Sequence, residues 1–104
     1  MRAQPTAIGW MDTEVSGAAA QWDQAQLVRL ARRLGYVLIW PPERTGVSLV
    51  DQVRIADVDA VLMPSANHLD ALTLDRLMSL ADVETAVPRR TYARDFGGWR
   101  GCQA

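Results

Sequence analysis

The 104-residue chain has no lysine; all eleven of its basic residues are arginine. It also has one histidine, one cysteine and one phenylalanine. Each scarcity removes a class of chemistry. Without lysine there is no Walker phosphate loop, and no Gly-x-Gly-x-x-Gly run offers a dinucleotide cradle. A lone Cys102 excludes a disulfide framework and leaves a zinc site short of ligands. With one histidine, every His-dependent triad must pass through His68. Long apolar runs are missing too: the longest mostly apolar stretches, Tyr36–Trp40 and Val58–Met63, fall far below the roughly 20 residues that cross a bilayer. The first residues carry Arg2 and polar side chains in place of an apolar export segment, so a cytoplasmic, non-membrane protein is expected. Net charge is −1, from eleven basic and twelve acidic residues, which is not the footprint of a domain that holds nucleic acid by counterion release. The arginine-only usage reads mainly as GC-rich coding.

The composition, 49% hydrophobic and 22% charged, suits one globular domain. Residues Thr6–Met11 are mostly apolar and form an expected first strand ending near Asp12. Beyond Ser16-Gly17 the period changes. From Ala18 to Leu34, Ala20, Leu27, Leu30, Ala31 and Leu34 recur at helical spacing, with Arg32 and Arg33 in the last turn and Gly35 just past it. Tyr36–Trp40 is a second strand, stopped by Pro41-Pro42. Ser48 with Asp51 caps a short helix to about Ala56. Asp57–Met63 is a third strand ended by Pro64, and its run Ala60–Met63 suits burial on both faces. Thr73 caps a helix through Ala81, and Asp82–Val87 is a fourth strand closed by Pro88.

Strands alternating with helices predict an α/β fold: a small, mostly parallel, four-stranded sheet with helices on both faces. The domain is expected over residues 1–91. The tail, 92–104, carries Trp99 and Cys102 and is expected to pack on the domain or on a partner. Trp10, Trp22 and Trp40 are expected in or beside the core.

Ligands in such a sheet bind beyond the carboxyl ends of the strands. The expected rim there is Asp12, Glu14, Ser16, Ser65, Asn67 and His68. Ser16 or Ser65 as nucleophile, His68 as base and Asp12 as orienter is one arrangement, although no nucleophile elbow accompanies it. Asp12 with Glu14 is the candidate divalent-metal pair, against the alternative of a solvated acidic turn. Asp57-x-Asp59 precedes the third strand, at the wrong edge for a site, so it reads as turn solvation. Arg29, Arg32 and Arg33 on the first helix, with Arg89, Arg90 and Arg94, are a candidate DNA surface. The alternative is a solvated face with helix C-terminal charge compensation. No cofactor is expected.

Two stretches resemble one family. Gly9-Trp10-Met11-Asp12-Thr13-Glu14 is similar to the Gly-Tyr-x-Arg-Val-Ser opening strand of serine recombinases (resolvases and invertases). Asp59-Ala60-Val61-Leu62-Met63-Pro64-Ser65-Ala66-Asn67-His68-Leu69-Asp70-Ala71 is similar to their Asp-Ala-Val-Val-Val-Trp-Lys-Leu-Asp-Arg-Leu-Gly-Arg. The helix from Gln21 to the Gly35-Tyr36 exit and the Val83–Pro88 stretch extend the likeness over about Ala7–Thr91. The resemblance implies a resolvase-like scaffold but not its reaction. In this frame the strand-one Arg is Asp12, the nucleophilic Ser is Glu14, the Asp-Arg pair is Asn67-His68 and the next Arg is Ala71. Ser16 falls two residues late, and Arg44 is the one loop residue that stands in for a family Arg. Losing one donor to a transition-state oxyanion costs about 10²–10³-fold in rate, and Asp12 and Glu14 would repel a scissile phosphate. The long dimer-forming helix and the DNA-binding segment of the family have no counterpart within these 104 residues. The expectation is a catalytically inactive recombinase-like domain acting through protein contacts, as a homo-oligomer or partner-binding module. The alternatives are a small enzyme or ligand binder using the rim, and a weakly DNA-associating protein.

Overall fold

Five strands form the centre of the computed structural model, which describes residues 4–41 and 46–94. The first, β1 (Thr6–Gly9), lies between β2 (Val37–Ile39) and β3 (Ala60–Met63), with β4 (Asp82–Ala86) and β5 (Arg89–Tyr92) beyond. The order is β2-β1-β3-β4-β5; β1 to β4 are parallel and β5 is antiparallel. Because β2 and β3 flank β1 on opposite sides, right-handed crossovers send the first two connecting helices to opposite faces. One core packs α2 (Ala20–Leu34), through Leu27, Leu30 and Ala31, onto Ala7, Ala60 and Leu62. The other packs α3 (Leu49–Ala56) and α4 (Ala71–Met78), through Leu49, Val53 and Leu77, onto Ile8, Val61, Met63 and Val83. All four residues of β3 are buried, as its unbroken apolar run required.

The ends of these elements follow local chemistry. Gly35 closes α2 in the left-handed region at φ 82°, where its amide reaches the carbonyls of Ala31 and Arg32. Ser48 caps α3, its Oγ accepting from the Asp51 amide at 3.2 Å. The cap of α4 is Asp70 and not the expected Thr73: Asp70 Oδ1 accepts from the Thr73 amide at 2.6 Å, so the helix begins earlier. A short helix, α1 (Thr13–Ser16), and a 3-10 turn (Gly17–Ala19) precede α2 where one continuous helix from Ala18 was expected. Asp57 closes α3 at φ 51°, and Asp59 Oδ2 accepts from the Thr6 amide at 2.8 Å, which pins the start of β1. Both acidic residues serve the amino edge of the sheet, as their place in the sequence implied.

The strand count departs from expectation. Pro88 was read as closing the fourth strand, but Val87 and Pro88, joined by a cis peptide bond, form the turn of a β4–β5 hairpin with Ala86 opposite Arg89. The expected boundary at residue 91 falls inside β5. Glu84, buried on β4, explains the extra strand: its Oε1 accepts from Thr91 Oγ1 at 2.5 Å and pairs with Arg89 Nη2 at 3.0 Å. A buried carboxylate needs such partners, and β5 supplies both. Trp22 also departs from expectation. It lies 55% exposed, on the outer side of α2, while Trp10 packs at the margin of the core. Trp99 and Cys102 lie outside the described residues. Among the described residues no helix is long and apolar enough to cross a membrane.

Candidate functional site

The sheet order reverses between β1 and β3, so the crevice above their carboxyl ends is where a doubly wound sheet places a ligand. The structure brings Asp12 and His68 together there. The chain leaving β1 bonds back to β3 through the Trp10 amide and the Leu62 carbonyl at 2.8 Å, then meets the 3-10 turn Ala66–His68. Buried His68 accepts the Asp12 backbone N–H at Nδ1, 2.9 Å away, so that nitrogen carries no proton and the hydrogen sits on Nε2. The His68 carbonyl accepts from Trp10 Nε1 at 3.4 Å. His68 therefore ties two loops together.

The other rim residues are similarly engaged or stand apart. Asp12 is the N-cap of α1; its Oδ1 accepts from the Glu14 amide at 3.0 Å. Glu14 is exposed in the first turn of that helix, where a negative charge suits the helix dipole. Ser16 Oγ donates to Oδ2 of buried Asp23 at 2.6 Å, facing α2 and not His68. Ser65 is half-buried and Asn67 exposed. Among the described residues no group of three or more His, Cys, Asp or Glu is placed to hold a metal ion. Arg44 lies outside the described residues.

The arginines do not form one surface. Exposed Arg29, Arg32 and Arg33 lie on the last turns of α2, which leads to the amino edge of the sheet. Arg89, opposite Ala86, and Arg90, opposite Thr85, belong to the carboxyl edge, and Arg89 is paired with Glu84.

The concavity itself lies one strand over from the expected rim. A cleft of about 770 Å³ opens beyond β1 and β2, between the N-terminal ends of α2 and α3. Trp40 covers Gly9 so closely that a Cβ at Gly9 would come within 2.6 Å of its ring. Around it stand Met11, Gln21, Gln24, Ser48 and Gln52, and Gln52 Nε2 donates to the Val47 carbonyl at 2.8 Å. No charged side chain lines the cleft among the described residues. Such a lining can stack on a flat face and exchange hydrogen bonds through amides, and none of its described side chains is an acid or a base. Sequence reasoning sought ionisable rim residues and missed this place. Its one signal was Gly9, a glycine inside a strand, which marks close approach of another group. Compared with protein-family models, curated proteins and solved structures, the chain matches none.

Proposed function

We propose that this chain is a catalytically inactive domain on a serine-recombinase-like scaffold, and that it works through protein contacts. The observation that carries this reading is the Asp12–His68 contact: the two positions aligned with family arginines are joined to each other. Clustered guanidinium groups are what phosphodiester attack by serine requires, and here an acidic cap and a neutral ring take their places. Ser16, the remaining nucleophile candidate, is bonded to a buried carboxylate on α2. The test is incubation with supercoiled plasmid, followed by denaturing gels for covalent protein–DNA adducts. Neither nicks nor adducts are expected, and a nick abolished by Ser16→Ala would overturn the proposal.

A second reading, ligand binding, is favoured by the cleft beside Trp40. The side chains that line it among the described residues are uncharged and favour a neutral molecule with a flat face over a phosphate or a divalent ion. Thermal melts with neutral nucleosides and sugars, set against magnesium and manganese, test it. A ligand that raises the melting temperature of the wild type but not of Gln24→Ala supports the reading; stabilisation by the metals alone would contradict it. Weak DNA association, the third expectation, has its arginines divided between opposite sheet edges, and salt-dependent mobility shifts would check it.

A further inference from the structure

We propose that the outer edge of β2, which no other described strand pairs, is a homodimer interface, in which two copies pair β2 antiparallel to β2 about a two-fold axis centred on Leu38. This rests on the protein-contact reading above and names its partner and surface. The backbone argues first. In the parallel pair with β1, Val37 stands opposite Thr6 and its amide donates to the Pro5 carbonyl at 2.9 Å; Ile39 stands opposite Ile8. Residues on a parallel strand alternate the side to which both backbone groups point. Those of Val37 and Ile39 therefore face β1, and those of Leu38 face away from the sheet, as does the Trp40 amide. Among the described residues the sheet ends at β2.

The side chains argue second. Val37 and Ile39 are 43% and 42% exposed, on the face of the sheet opposite α2. In an antiparallel pair centred on Leu38, each Leu38 exchanges hydrogen bonds with its counterpart. Val37 of one copy then stands directly across from Ile39 of the other, twice. Two β-branched residues spaced two apart about the axis are thus self-complementary.

Charge decides the occupant. From Tyr36 to Pro41 the edge has no charged residue, so in this register none of these residues sets a like charge against its counterpart. The opposite edge, β5, carries Arg89 and Arg90, the kind of charge that guards edges against pairing. A β2-to-β5 contact would leave free edges and propagate, whereas β2 to β2 closes as a dimer.

The test uses the full chain. Analytical ultracentrifugation of the wild type should show a monomer–dimer equilibrium. Ile39→Lys, at an exposed position, should keep the wild-type circular dichroism and weaken dimerisation at least about tenfold. Val37→Glu combined with Ile39→Lys should dimerise more tightly than either single variant, because each introduced carboxylate then faces an introduced ammonium. In a Cys102→Ser background, Val37→Cys with Ile39→Cys should crosslink under a mild chemical oxidant, since such opposed positions sit about 4.5 Å apart at Cα. Neither single cysteine should crosslink. A wild type that stays monomeric at high micromolar concentration, a dimer indifferent to Ile39→Lys, or failure of the paired cysteines to crosslink would each overturn the interface, including in favour of another protein's strand on this edge. Plasmid cleavage by the wild type would instead sink the non-catalytic reading and leave these results standing.

Discussion

Replacing His68 separates a positioning role from a chemical one. The Asp12 amide has the imidazole Nδ1 as acceptor at 2.9 Å, across 56 residues of sequence. His68→Ala removes that acceptor together with a buried ring. His68→Asn also shortens the side chain, but its amide oxygen occupies roughly the place of Nδ1. The difference between the two variants thus isolates the hydrogen bond from most of the packing loss. An orphaned buried donor costs about 1–3 kcal/mol. Because the Asp12 site is half-buried and water can partly replace the lost partner, the low end applies, about 1 kcal/mol. In a chain of this size that is about 4–8 °C in melting temperature, or about half a molar in the urea midpoint. Urea titrations followed by circular dichroism measure it, and amide hydrogen exchange at Asp12 supplies the local readout, with protection kept in His68→Asn and lost in His68→Ala. Equal midpoints for the two variants, or an Asp12 amide as protected in His68→Ala as in the wild type, would refute the latch.

Gly35→Ala should destabilise by about 1 kcal/mol, purely through its left-handed backbone since no atom lies within 4 Å of an added Cβ, and Gly35→Asn should cost less in the same melts. Leu77→Ala, at a fully buried position between α4 and the sheet, should cost about 2–5 kcal/mol in urea unfolding. The Tyr36 hydroxyl is held above its ordinary pKa by burial first, then by the carboxylates of Glu84, Asp82 and Asp59. A raised value means that the fold prefers the neutral phenol. Stability is therefore complete below the unfolded tyrosine's pKa of about 10 and declines as pH rises through the raised value. Tyr36→Phe should flatten this alkaline decline and remove a late step from the absorbance titration of tyrosinate.

Much of the scaffold was legible because its signals are local. Helix α2 announced itself by apolar spacing, Arg32-Arg33 and Gly35, and α3 by Ser48 and Asp51; β3 was marked by a run with no polar residue. What stayed hidden depends on contacts distant in sequence. Strand β5 reads as Arg-Arg-Thr-Tyr, without alternation, and exists because Glu84 needs Thr91 and Arg89. Trp22 was assigned inward on hydrophobicity, but α2 already fills its side of the sheet with Leu27, Leu30 and Ala31. The strand-end rule located Asp12 and His68 correctly at one edge. It could not reveal that they face each other, nor that the open volume lies beside β2, because a cleft is defined by the helices that fail to fill it.

The contact between Asp12 and His68 sets what a cation introduced at either position would do. The bond uses the backbone amide of residue 12, which leaves the Asp12 side chain to cap α1 while His68 supplies the acceptor. Introducing a cation at either place should disturb this edge without bringing catalysis. In His68→Arg the guanidinium has only donors, so the Asp12 amide loses its acceptor and the variant should melt below His68→Asn. Asp12→Arg removes the cap of α1, while its backbone amide can still reach His68. The double variant gains two positive charges but loses both devices that hold the loop after β1, and it should be the least stable of the three and still leave plasmid intact. Full stability in the double variant, measured by the same urea titration, would mean that the Asp12–His68 contact does not organise this edge and that its polar residues remain open to a catalytic role.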